Sequence, residues 1–331
     1  MKLDSVGVIG GGAWGTALAQ TLRLAGRTVT LWAREPETIE DINLRHVNRT
    51  FLPGVSLDEG VVATGDLVQI ARCDAILMVA PAQHVRAISR QLAPHVRDGH
   101  PLVLCAKGIE QATGKMMGEI IAETLPGVTP AVLSGPSFAA DVARGLPAAL
   151  TVACRNEALG KQLAEQFGYH QFRLYWSSDV VGVELGGALK NVLAIAAGIV
   201  AGKGLGASAH AGLVTRGFAE MRRLGEVLGA RTETLMGLSG LGDLILTCGS
   251  PQSRNMSLGR ALGQGEKLET VLGGRVSVAE GIYTAAAAVR LAGHHNIEMP
   301  ITGAVHAILE GQATVDDAIA ALMRRPFKAE D

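Results

Sequence analysis

The chain has 331 residues, of which 48% are hydrophobic, 18% charged and 4% aromatic, with 42 glycines. That is the composition of a soluble, glycine-rich α/β or α protein with small and aliphatic cores, long enough for two domains and not that of a disordered chain. Thirty Lys and Arg stand against 31 Asp and Glu, a net charge of −1, so no overall field points to nucleic acid or an anionic membrane, and any anion site is local. Cys73, Cys105, Cys154 and Cys248 lack CxxC or Cys/His spacing, which speaks against zinc and against a secreted disulfide framework; no metal and a cytoplasmic location are the expectation. The opening MKLDSVGVIGGG enters a strand pattern at once, without the order of regions a signal peptide needs.

In chain order, the runs SVGVIG, RTVTLWA, AILMVA, PLVLCAK, AVLSG, ALTVAC and FRLYW are short and apolar on both faces, as strands covered by helices on both sides are. Segments such as Ala17 to Leu24 and Val85 to Leu92 between them have helical spacing, which gives βαβ grammar. After about residue 180 the strand signals end, and helical patterns cover 180–201, 209–229, 255–264, 279–293, 301–310 and 314–323. The expected fold is α/β plus all-α: a Rossmann-like dinucleotide-binding domain over 1–178 and a helical substrate and dimerisation domain over 179–331, joined by a compact turn at Trp176 to Asp179.

The stretch VIGGGAWGTALA places Gly10, Gly12 and Gly15 in GxGxxG spacing between a strand and a helix. Gly10 permits a tight turn, Gly12 lets backbone approach a pyrophosphate, Gly15 lets helix pack on strand, and the helix N-terminus offers free N–H groups to phosphate. The second strand ends LWAREPE. Arg34 stands where an NAD-specific site usually carries an acid, and its guanidinium suits the 2′-phosphate of NADP. A solvated surface arginine is nearly as good a reading, and Glu35 follows directly, so NADP(H) ranks only modestly ahead of NAD(H).

Lys107, just after the fourth strand run, sits where open α/β sheets bind ligands. SGPSFAADVARGLP follows the fifth run with Gly135, Ser137 and an expected helix start at Ser137 to Ala139; this is a phosphate-facing turn or simply a capped helix. Lys190 lies mid-way along VELGGALKNVLAIAAG, an apolar stretch that Glu184, Lys190 and Asn191 keep from being a good membrane span. An ammonium there either reaches a partner or loses its proton. It is a general acid/base, or it is a snorkelling lysine or an ion pair with an acid such as Glu184. Asn191 points about 100° away along the helix and adds little. Asp243 in SGLGDLILTC reads as a site acid or a helix cap. Ser253, Arg254 and Asn255 offer a hydroxyl, a guanidinium and an amide at one helix start, a cradle for phosphate or carboxylate, or a capped surface helix.

The ordered set GGGAWGTALA, NRTFLPG, AKGIE, SGPSFA, ELGGALKNVLAI, GLGDLILTC, QSRN and VAEG, running from Val6 to about residue 310, resembles the NAD(P)-dependent glycerol-3-phosphate dehydrogenases of the soluble bacterial biosynthetic type. The resemblance implies reduction of dihydroxyacetone phosphate to sn-glycerol 3-phosphate for phospholipid synthesis. It implies Lys190 as proton donor and acceptor, aided by Lys107 and Asp243. Gly135, Ser137, Ser253, Arg254 and Asn255 join those three at the substrate; Ala13, Trp14, Arg34, Lys107, Ala139, Arg254, Val278 and Glu280 contact the cofactor. A homodimer is expected, packed through the Ala- and Gly-rich helices. Rival readings are a similarly built hydroxyacid dehydrogenase, acting for instance on 6-phosphogluconate or ketopantoate, and a non-catalytic NAD(P)-binding sensor.

Overall fold

The computed structural model describes residues 2–273 and 279–326. Ten strands lie in its first half: β1 (Ser5–Ile9), β2 (Thr28–Trp32), β3 (Val47–Asn48), β4 (Leu52–Ser56), β5 (Val61–Thr64), β6 (Ala75–Met78), β7 (Pro101–Leu104), β8 (Thr129–Ser134), β9 (Ala148–Ala153) and β10 (Phe172–Ser177). Eight form one sheet in the order β10-β9-β8-β7-β6-β1-β2-β5, while β3 and β4 pair as a separate antiparallel hairpin. Within the sheet only β8 and β9 run antiparallel; the neighbours from β8 through β1 to β5 are all parallel.

All seven apolar runs become strands, and β3, β4 and β5 are additional. Their signals are weak for physical reasons. β3 is two residues long, β4 (LPGVS) contains the two residue types least suited to a ladder, and β5 is a four-residue edge strand with Val62 half-exposed.

The chain steps from β1 outward to β2 and β5, then crosses to β6 on the other side. This is a topological switch point, and ligands of such sheets bind in the crevice beyond the C-terminal strand ends there. The turns after β1 (Gly10 to Gly12), β6 (from Val79), β7 (Cys105 to Gly108) and β8 (from Gly135) all open on this edge, because these four strands run parallel.

Beyond Ser177 no strand occurs among the described residues. The helix Val180–Gly202, capped by the Asp179 carboxylate accepting from Gly182 N–H, is buried at every residue from Gly182 to Val200. Its length and hydropathy would allow a membrane crossing, yet it is buried all round, as the central core helix of a helical domain is. Around it pack Gly206–Leu228, Asp243–Gly249, Arg254–Gly263, Gly281–His294 and Pro300–Leu309. Arg254–Gly263 comes closest: a Cβ at Gly198 would stand 2.0 Å from the Met256 carbonyl oxygen, and one at Gly259 1.9 Å from that of Ile195. Four elements have no counterpart in the sequence pattern: Thr232–Leu235, the π-turn Leu238–Gly242, Asp243–Gly249 and Leu268–Gly273. They are too short for a period of 3.6 residues to show.

Candidate active site

The glycine turn has the geometry its spacing implies. Gly10 has φ +128°, and a Cβ there would press on the Val79 and Ala80 backbone at 3.0 Å; at Gly15 a Cβ would overlap the Gly10 carbonyl oxygen at 1.9 Å. At Gly12, by contrast, a Cβ would meet nothing within 4 Å. Gly12 is the N-cap of the twelve-residue helix Ala13–Leu24, whose first N–H groups have no intrahelical acceptor. The turn therefore leaves an open, donor-lined cradle that a side chain at Gly12 would fill. Two buried polar atoms without protein partners, Trp14 Nε1 and Glu280 Oε2, belong to residues expected at the cofactor. The residues present fit a dinucleotide.

Deeper in the crevice, three charged side chains from three elements converge. Asp243, fully buried, accepts from Lys190 Nζ through Oδ1 (2.5 Å) and from Lys107 Nζ through Oδ2 (2.8 Å). Lys107 also donates to the Gly135 carbonyl oxygen (3.3 Å), which accepts from Ser137 Oγ as well (3.0 Å). Lys190 donates to Thr247 Oγ1 (3.0 Å). Burial, with the Lys107 ammonium beside it, brings the Lys190 amine down to about 7 against the pull of Asp243. Burial likewise pushes the neighbouring Cys248 thiol up to about 12, leaving it a neutral bystander.

Small residues let these elements meet. A Cβ at Gly186 would lie 2.6 Å from the Ser239 carbonyl oxygen of the π-turn, and one at Gly187 2.7 Å from Ser134 Oγ and 3.4 Å from Lys107 Cγ. The π-turn ends directly before Asp243 and sets where its carboxylate projects, a placement typical of π-turns at functional sites.

Several local readings are corrected. Glu184 is not the partner of Lys190: its carboxylate accepts from the Gly118 N–H (2.6 Å) at the start of Met117–Thr124, and burial raises its carboxyl to about 7. Asp243 is no cap, since Gly242 takes that position and the Asp243 carboxylate faces the lysines. The helix after β8 begins at Ala139, within the expected Ser137 to Ala139, but its N-cap is Phe138; Ser137 lies outside it and turns its hydroxyl to Gly135. Ser253 does cap Arg254–Gly263, accepting from Met256 N–H (3.2 Å).

Asn191 is more engaged than its helix position suggests. It donates to the Lys107 carbonyl oxygen (3.1 Å) and accepts from Asn255 Nδ2 (2.9 Å), while Asn255 Oδ1 accepts from Gly281 N–H (3.0 Å). Next to Gly281, Glu280 accepts from Ala82 N–H after β6 (3.2 Å). A hydrogen-bonded chain thus links the turn after β7 to that after β6 through three helices. The sequence reading gives Asn191 too little weight and misses Thr247, although Thr247 stands four residues after Asp243 and so shares its helix face. Arg254 is exposed at the rim, near enough to act on the Glu280 carboxyl. Arg34 stands apart, 76% exposed and paired with Glu35 (2.7 Å). Val278 lies outside the described residues. Among those described, no cluster of His, Cys, Asp or Glu has a metal-holding arrangement.

A Rossmann-like sheet with a glycine turn at its switch point, closed by a helical domain that adds a buried lysine–carboxylate pair, defines a two-domain NAD(P)-dependent dehydrogenase. Residues 5–160 match the family described as NAD-dependent glycerol-3-phosphate dehydrogenase N-terminus, and residues 179–320 match its C-terminus. The chain is 60% identical over 325 residues to a glycerol-3-phosphate dehydrogenase [NAD(P)+] of Parvibaculum lavamentivorans, covering 98% of each chain. It is 58% identical over 330 residues to one from Caulobacter vibrioides, covering 100% of each. The crystal structure of a glycerol-3-phosphate dehydrogenase from Coxiella burnetii superimposes with a TM-score of 0.93 at 38% identity, covering 97% of this chain and 99% of that one. The chain belongs to the NAD-dependent glycerol-3-phosphate dehydrogenase family.

Proposed function

We propose that the protein catalyses reversible NAD(P)H-dependent reduction of dihydroxyacetone phosphate to sn-glycerol 3-phosphate, the backbone of glycerophospholipids. The observation that carries this reading is the pair of lysine ammonium groups on the single buried carboxylate of Asp243, in a crevice beside a dinucleotide turn. When bound, the nicotinamide supplies or takes the hydride at C2. Lys190 Nζ gives its proton to the oxygen developing on C2, and an amine held near 7 can both give and regain that proton. Asp243 orients Lys190, and the Lys107 ammonium stabilises negative charge developing on the substrate. Gly135, Ser137, Ser253, Arg254 and Asn255 hold the substrate. Asn255 keeps one Nδ2 hydrogen beyond the one given to Asn191, and Arg254 supplies a guanidinium for the phosphate.

The cofactor is held by Gly10, Gly12, Ala13, Trp14, Gly15, Arg34, Lys107, Ala139, Arg254, Val278 and Glu280. NADP(H) is modestly preferred through Arg34, with Glu35 competing for the same guanidinium. The domain boundary falls at residue 178, between β10 and the cap at Asp179. A homodimer in the cytoplasm completes the reading. The four cysteines, free and buried, suit a reducing compartment, and sedimentation at the mass of a single chain would remove the dimer.

Saturable oxidation of NADPH in the presence of dihydroxyacetone phosphate tests the activity, and the same assay with NADH reads the preference. Lys190→Ala should lower kcat by about 10²–10⁴. Near-normal turnover in that variant would remove Lys190 from the mechanism, and absence of turnover by the unaltered chain with intact NADPH binding would leave a sensor.

A further inference from the structure

Asn48 belongs to none of the groups assigned above, yet its side chain bonds directly to the backbone of the glycine turn. It lies in β3, the short strand that with β4 forms the hairpin inserted between β2 and β5, and it is 1% exposed. Its Nδ2 donates to the Gly11 carbonyl oxygen (2.8 Å) and to Thr16 Oγ1 (2.8 Å), and its Oδ1 accepts from Phe51 N–H (3.0 Å), which fixes the amide's orientation. The chain just beyond the hairpin is tied to Ala13–Leu24 as well, since Asp58 N–H donates to Gln20 Oε1 (2.7 Å) and Arg23 Nε to Asp58 Oδ1 (3.0 Å). Asn48 is thus held rigidly relative to the helix start.

The turn needs such a constraint. Gly10, Gly11 and Gly12 are consecutive, and packing explains the first two: a Cβ at Gly11 would stand 2.6 Å from that of Ala33, as one at Gly10 would press on Val79 and Ala80. Three glycines give the backbone little stiffness of its own and lose the most conformational freedom on ordering. The peptide unit joining Gly11 to Gly12 is planar and trans, so its C=O and N–H point to opposite sides. With the Gly11 carbonyl drawn inward to Asn48, the Gly12 N–H faces the other way. No group among the described residues accepts from this N–H, and the space beside Gly12 is open, since a Cβ there would meet nothing within 4 Å.

We infer that Asn48 is a positioning residue for the cofactor: by gripping the Gly11 carbonyl it aims the Gly12 N–H at the dinucleotide's pyrophosphate. The inference rests on the reading that the dinucleotide lies on this turn. Asn48 is almost wholly buried and its amide is committed to Gly11, Thr16 and Phe51, so its effect should fall on the pyrophosphate contact alone.

The test uses the whole enzyme, NADPH, and adenosine 2′-monophosphate, a fragment that lacks the pyrophosphate. Asn48→Ala should raise the Kd for NADPH about tenfold, the loss of one hydrogen bond to a charged group. kcat at saturating NADPH and the inhibition constant of the fragment should stay within about twofold of the unaltered enzyme's. Thr16→Val replaces a hydroxyl by a methyl of the same shape, removes the long hydrogen bond that this hydroxyl itself donates to the Gly11 carbonyl oxygen (3.4 Å) and frees one hydrogen of the Asn48 amide; it should shift the Kd in the same direction by a smaller factor, and it carries the test of the Asn48–Thr16 network should Asn48→Ala not fold. In the double variant the shifts should not add, because both act through one network. Unchanged NADPH affinity in the variants, or equal weakening of NADPH and fragment, would overturn the inference. Gly12→Val, which fills the cradle, separates the two layers: its loss of NADPH with native affinity in the Asn48 and Thr16 variants sinks the role of Asn48 alone, while retained affinity in Gly12→Val sinks the placement of the dinucleotide as well.

Discussion

Lys107 and Lys190 share the two oxygens of Asp243, so the charge on each lysine depends on the other. The amine of Lys190 is held near 7 chiefly by burial and in part by the Lys107 ammonium, both opposing the attraction of Asp243. Reduction needs Lys190 protonated and oxidation needs it neutral. kcat/KM for reduction should therefore fall as pH rises through about 7, and that for oxidation should rise over the same interval. Lys107→Met removes a positive neighbour and should move both inflections to higher pH, besides slowing the reaction; inflections that stay in place would show that the two ammonium groups do not interact. Lys190, Lys107 and Asp243 were visible in the sequence because a charge in an apolar run, or just beyond a strand, is anomalous. Thr247 was not, and Asn191 was given too little weight. A neutral polar residue inside a helix carries no such anomaly, and its importance comes from partners 57 and 84 positions away in the chain.

At the level of elements, βαβ alternation and the change to helical periods revealed both halves, since β1, β6, β7 and β9 are largely apolar runs, β2 and β10 are rich in β-branched and aromatic residues, and the long helices span several turns. The hairpin and the π-turn stayed hidden because tertiary contact specifies them. A Cβ at Gly186 would lie 2.6 Å from the Ser239 carbonyl oxygen of the π-turn, a closeness between distant parts of the chain that no local pattern announces. Closeness of the same kind joins Val180–Gly202 to Arg254–Gly263, where Gly198 and Gly259 let the two backbones touch. Gly259→Ala should consequently separate these helices and destabilise the protein by about 2–3 kcal/mol, an overpacking cost, measured as a lower urea midpoint. Ser253, Arg254 and Asn255 begin the displaced helix. The KM for dihydroxyacetone phosphate should rise in the same variant, whereas Gly212→Ala, on an open face of Gly206–Leu228, should leave KM unchanged and raise the midpoint slightly, by the ~0.5–1 kcal/mol that alanine gains over glycine in a helix. An unaltered midpoint in Gly259→Ala would mean that the helix contact is looser than drawn.

Across the whole molecule, the two halves are joined by polar contacts between residues 66 to 198 positions apart: Glu184 on Gly118, Lys107 on Asp243, Asn191 on the Lys107 carbonyl and Glu280 on Ala82. The cooperative unit should then include groups far from the crevice, and His100 is one that makes it sensitive to acid. It is fully buried at the end of the loop leading to β7, and neither ring nitrogen has a hydrogen-bond partner. Burial, with Arg97 nearby and Asp74 partly compensating, brings its imidazole down to about 4 from an ordinary 6.5. Below 6.5 the unfolded chain binds a proton here that the folded chain refuses, so stability present in full above 6.5 drains away as pH falls toward 4, by about 3 kcal/mol in all. His100→Phe keeps a ring of similar shape and abolishes the titration. Between pH 7.5 and 5 its unfolding free energy in urea should decline less than the unaltered protein's by about 2 kcal/mol. Parallel decline of the two would place the acid sensitivity elsewhere, with Asp41, whose pairing with Arg49 and Arg45 holds its carboxyl near 2, losing its stabilisation only at still lower pH.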